Sequence, residues 1–92
     1  MKTVIDLLAL ARAIAAAEGQ YHEDTQCSIV WDAYAQRWDI DVDGLGDCDR
    51  DLATAIDLTY RVLVDHARRV LRHPSYEARE GSVEALERMV QP

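Results

Sequence analysis

From Val4 to Ala17 the apolar residues recur at helical spacing, with Val4, Leu7, Leu8, Ala11, Ile14 and Ala15 marking one stripe. Thr3 followed three residues later by Asp6 is a capping-box pattern, in which a hydroxyl and a carboxylate satisfy backbone donors at a helix start. Gly19 supplies a left-handed stop. The spacing therefore predicts a first helix whose core face is this stripe. Ala9, Ala13 and Ala16 lie outside it, on a side that the hairpin or another chain could approach closely.

The period then changes from helical to alternating. Cys27, Ile29 and Trp31 alternate with Ser28, Val30 and Asp32, and Trp38, Ile40 and Val42 alternate with Arg37, Asp39, Asp41 and Asp43. Two strands joined over Asp32 to Gln36 as an antiparallel hairpin follow, broken after the second by Gly44 and Gly46. Alternation turns Trp31 and Trp38 inward, as core residues rather than stacking platforms. Asp47, Asp49 or Asp51 caps a long helix that runs to about His73, buries Leu52, Ile56, Thr59, Leu63, Ala67 and Val70, and ends before Pro74. Asp57, Arg61, Asp65, Arg68 and Arg72 occupy its other side at spacings that suit i,i+4 ion pairs. A short helix from Ser82 offers Val83, Leu86 and Val90 to the core. The expectation is an α+β domain over residues 1–92, with an N-terminal helix, a two-stranded antiparallel hairpin, a long helix and a short C-terminal helix (αββαα).

Ninety-two residues, 49% hydrophobic and 29% charged, suit one globular domain with one core. The net charge of −7 and pI near 4.7 oppose a large phosphate-binding surface, so direct nucleic-acid and anionic-membrane binding are not expected. A basic partner suits the same charge. The run ending Ala15-Ala16-Ala17 is interrupted by Asp6 and Arg12, which favours a mature helix over a signal peptide, and no run is long enough to span a bilayer without charges. With no leader predicted, Cys27 and Cys48 read as reduced thiols of a cytoplasmic protein, although one disulfide between them is the alternative.

Charge is least balanced over Trp38 to Leu52, WDIDVDGLGDCDRDL, where six of fifteen residues are aspartates and only Arg50 opposes them. Asp39, Asp41 and Asp43 should project from one strand face at about 6.8 Å intervals, and Asp47 and Asp49 should continue the charge into a helix start. Three readings compete for this ridge. Asp39-x-Asp41-x-Asp43-Gly44 matches the opening of a calcium loop, but the twelfth position, which should carry a bidentate Glu, is Arg50. A solvated face with good helix capping is the second reading. The third is a partner-binding surface that mimics a nucleic-acid backbone and enters a groove lined with Lys and Arg.

In size, charge and layout the chain resembles the small anti-CRISPR proteins that phages encode, which share no signature residues. That resemblance implies a non-enzymatic inhibitor that binds a CRISPR effector, a basic nucleoprotein complex, and blocks its access to DNA. Asp39, Asp41, Asp43, Asp47 and Asp49 are the partner-binding residues expected from the charge pattern. More locally, WDIDVDGLG followed by the Leu52-x-x-Ala55 helix is similar to the strand-turn-helix of HicB-like antitoxins, which carry a further strand before the helix and begin with a strand. This implies, as the alternative, an oligomeric regulatory domain, whose homodimer would use the Ala9, Ala13 and Ala16 side of the first helix.

Other chemistry is poorly supported by spacing. His22, Cys27, Cys48 and His66 could be assembled into a zinc set only without a closely spaced pair, so no metal and no cofactor are expected. No local context pairs a nucleophile with a base, and no catalytic residue is expected. His66, Arg68, Arg69, Arg72 and His73 gather positive charge at the end of the long helix, where it suits the helix dipole or a second contact for an acidic partner or phosphate.

Overall fold

The computed structural model describes residues 1–20 and 24–91. Its elements are α1 (Val4–Ala17), β1 (Cys27–Asp32), β2 (Arg37–Val42), β3 (Cys48–Asp49), α2 (Leu52–Arg72) and α3 (Ser82–Val90). The α+β class is as expected from the patterning. The sheet is not a two-stranded hairpin, however: it has three antiparallel strands in the order β1-β2-β3.

The Thr3–Asp6 capping box forms as read, with both reciprocal hydrogen bonds present. The buried arc of α1 is wider than the predicted stripe and displaced from it, with Val4 and Leu8 only half-buried. Leu10 and Ala17 join Leu7, Ala11, Ile14 and Ala15 in the interior, because α1 packs against both α2 and α3 and so has two flanks to bury. The alanine side is approached by the segment leading into α3: the Arg79 N–H donates to the Ala16 carbonyl at 3.1 Å, Ala13 packs against the core, and only Ala9 of the three is exposed. Gly19, at φ +79°, permits this approach, since a Cβ there would crowd Glu77.

Asp51 is the cap of α2, and its carboxylate accepts from the Thr54 N–H at 3.0 Å and the Thr54 hydroxyl at 2.9 Å. The helix buries Ala55, Ile56, Thr59, Leu63 and Ala67. Its expected i,i+4 ion pairs do not close among the described residues. Asp57 instead accepts the Lys2 backbone N–H at 3.0 Å, and the Lys2 ammonium lies 4.3 Å from the Tyr60 ring centre, so the N-terminus is docked onto α2. One apolar cluster takes side chains from α1, β2, α2 and α3, with Leu7, Leu10, Leu63 and Leu86 wholly enclosed.

Leu10 tests the widened arc: Leu10→Ala should lower the urea-unfolding free energy by about 2–5 kcal/mol. Ile5→Ala, at a residue 77% exposed, should change it by less than about 0.5 kcal/mol. Hydrogen bonds from the Thr3 backbone N–H and hydroxyl hold the Asp6 carboxyl below its usual range. A depressed folded-state value makes this contribution full above the unfolded carboxylate range and removes it as pH falls through the folded value. The stability advantage of the native chain over Asp6→Asn should therefore be present at pH 5 and shrink by pH 2.5, as read from paired urea midpoints.

Candidate functional site

The acidic segment is shaped by two backbone features. Asp43 and Gly44 have φ of +53° and +86°, and Val42 and Leu45 on either side exchange hydrogen bonds of 2.6 and 3.0 Å. Two consecutive positive φ values across a two-residue connection make a type I′ hairpin turn, which Asp-Gly favours. Two residues on, a Cβ at Gly46 would overlap the Ile40 carbonyl oxygen, so only glycine lets the returning chain lie this close to β2. The Ile40 N–H then donates to the Asp47 carbonyl at 3.1 Å, and β3 pairs with β2. Gly44 and Gly46 thus turn the chain into a third strand where the sequence reading had them end the sheet.

This return divides the expected ridge. Asp39 and Asp41 point from β2 to the face away from the helices, beside Ser28 and Val30 of β1, and Asp43 stands in the turn. Cys48 lies opposite Asp39, so Cys48 shares that outer face, whereas Asp49 lies opposite Trp38 and shares the inner one. Asp47 and Asp49 therefore run back alongside β2 and do not extend the line into the helix start.

Local hydrogen bonds hold each of these carboxylates in place. Asp41 accepts from the Gly44 N–H at 3.2 Å, Asp43 from the Gln26 N–H at 2.8 Å, Asp47 from the Cys48 N–H at 2.8 Å and Asp49 from the Asp51 N–H at 2.8 Å. Asp39 is paired with Arg37 at 3.2 Å, an exposed contact of about 0–1 kcal/mol. Backbone donors orient a carboxylate without cancelling its charge. From Trp31 to Asp51 seven aspartates face two arginines, a net of −5 out of −7 for the chain.

The Thr59 hydroxyl anchors this segment to α2. Wholly buried, it donates to the Ala55 carbonyl at 2.8 Å and accepts from the Asp47 N–H at 3.2 Å. The arginines at the other end of α2 are remote, since 21 helical residues span about 31 Å. Arg68, Arg69, Arg72 and His73 are exposed there, while His66 lies 3.7 Å from Glu18.

Aromatic placement departs from the alternation. Trp38 packs against the core, but its cross-strand partner Trp31, with ring centres 5.3 Å apart and planes at 58°, is 41% exposed. The reason is that β1 rests chiefly on β2 and lies outboard of the helices, so its inward side is only half covered. Tyr34 at the hairpin tip is fully exposed. The Asp-Gly pair between Val42 and Leu45 was the sequence signal for the third strand; no sequence signal distinguished the exposed tryptophan from the buried one.

The thiols cannot pair within the chain. Cys27 sits opposite Val42 on the inner face of β1 and Cys48 opposite Asp39 on the outer face of β3, with β2 between them. Two strand spacings of about 4.8 Å exceed the roughly 7 Å that a disulfide spans between Cα atoms. Burial, followed by the charges of Asp41 and Asp43, pushes the Cys27 thiol up, which keeps it protonated and weak as a nucleophile. Among the described residues no group of three His, Cys, Asp or Glu side chains is gathered to hold a metal ion; His22 lies outside them. No helix among them is long and apolar enough to cross a membrane.

No protein-family model matches this chain, and no curated protein or solved structure matches it.

Thr59→Val preserves shape but removes the acceptor of the part-buried hydrogen bond from the Asp47 N–H, and should cost about 1–3 kcal/mol in denaturant unfolding. Thr59→Ser, which retains the hydroxyl, should recover most of that loss.

Proposed function

We propose that this chain is a non-enzymatic binding protein whose acidic hairpin engages a basic protein or nucleoprotein partner, in the manner of an anti-CRISPR inhibitor that blocks an effector's access to DNA. The observation that carries this reading is the concentration of net charge −5 between Trp31 and Asp51, with Asp41, Asp43 and Asp47 all exposed and each held in one orientation by a backbone donor. Anions already fixed in orientation lose little conformational freedom when they enter a cationic groove.

A second reading, an oligomeric antitoxin-like regulatory domain, is supported by β3. That strand provides the further strand that HicB-like proteins carry before the helix. Self-association through α1 would have to use Ile5 and Ala9, the apolar residues left exposed on it. Sedimentation equilibrium separates the readings, because a monomer at tens of micromolar removes the oligomeric one.

The inhibitor reading is tested by DNA binding of a purified CRISPR surveillance complex. Addition of the native chain should suppress DNA binding. The triple variant Asp39→Asn, Asp41→Asn, Asp43→Asn keeps the side-chain oxygens that accept backbone N–H groups and removes three charges. It should restore DNA binding, with the association rate falling first and the native effect weakening as salt rises. Arg68→Gln with Arg72→Gln should leave inhibition intact. Greater loss from the arginine pair than from the aspartate triple, both folded by circular dichroism, would move the binding surface to the end of α2.

A further inference from the structure

We propose that the open end of the sheet is an arginine-binding surface, with Trp31 as the stacking platform for an arginine-rich segment of a partner protein. This rests on the reading of the acidic hairpin as the interaction surface, and it adds the side-chain chemistry that the surface selects. Residues directly opposed across antiparallel strands stand side by side on one face. Trp31 opposes Trp38 and Trp38 opposes Asp49, so the three form a row, indole, indole, carboxylate, at strand spacings of about 4.8 Å.

The row is graded in exposure. Trp38 is half-buried against the core, while Trp31 is 41% exposed and packs on Trp38 at 5.3 Å. An exposed indole packed on a half-buried one presents an aromatic surface at low entropic cost. Charge complementarity decides what covers it. Asp39 and Asp41 leave by the opposite face, but Asp49 ends the row on the same face as the indoles, and the segment as a whole carries net −5, which disfavours nucleic acid and a second copy of this acidic chain and favours a cation. Among cations arginine suits both parts of the row, because one guanidinium stacks flat on the exposed indole while another, two strand spacings of about 4.8 Å away, donates paired hydrogen bonds to the Asp49 carboxylate; an ammonium is a hydrated point charge that does neither as well.

The test uses the intact chain with two fluorescent probes of equal charge, nona-arginine and nona-lysine, in low-salt anisotropy titrations. The native protein should bind nona-arginine about two- to fivefold more tightly than nona-lysine, the increment of one exposed cation–π contact. Trp31→Leu should bring that ratio close to one while leaving nona-lysine binding unchanged, and Trp31→Phe should fall between. Trp31 lies outside the core, and a thermal melt of each variant checks that the hairpin persists. Equal affinities of the native chain for the two peptides would overturn arginine selection while leaving the acidic surface standing. Binding of neither peptide would overturn both. A native self-association abolished by Trp31→Leu would assign the face to a second copy and overturn the proposal.

Discussion

Positive φ at Asp43 and Gly44, followed by the close passage of Gly46 over the Ile40 carbonyl, sends the chain back along β2, and the rest of the molecule takes its position from that reversal. Without it the segment after β2 would leave the sheet, and α2 would start from an unconstrained point. With it, Asp47 arrives where its N–H meets the buried Thr59 hydroxyl, β3 pairs for two residues, and Asp51 caps α2 directly beyond. A type I′ turn demands left-handed backbone at both central residues, which Asp tolerates and Gly adopts freely. The constraint is thus local in chemistry and global in consequence.

The same aspartates serve structure and charge together. Each hydrogen-bonded carboxylate completes a turn, cap or strand end, and each remains an anion, so the segment that needs the most backbone correction also becomes the most negative part of the surface. The arginines at the far end of α2 lie about one helix length away and cannot neutralise it. A molecule with separated acidic and basic ends is oriented by a partner's field before contact, which is how exposed charge acts on encounter. Burial keeps the Cys27 thiol protonated, and the sheet holds the two cysteines on opposite faces.

Packing is uneven across the fold. The three helices and β2 share the core, whereas β1 relies chiefly on β2 and carries only half-buried or exposed residues. The outer strand is therefore incompletely enclosed, and the hairpin brings Trp31 and the tip residue Tyr34 to solvent. Binding surfaces draw on such regions because residues already satisfied in the core have no free face to offer.

Much of the architecture was legible in local patterning. Helical spacing with the Thr3–Asp6 box gave α1, alternation from Cys27 to Val42 gave the hairpin, and the stripe from Ile56 to Ala67 gave α2 with Thr59 on its buried side, since each depends on residues a few positions apart. The five aspartates were legible as charge but not as an arrangement. Only the tertiary fold decided that Asp43 stands in a turn beyond Asp39 and Asp41 and that Asp47 and Asp49 fold back, that Leu10 and Ala17 are buried against a second helix, and that Trp31 is open while Trp38 packs against the core. Alternation states which side of a strand a residue faces. Whether anything lies on that side depends on where the helices end, and that is set by contacts between residues far apart in the chain.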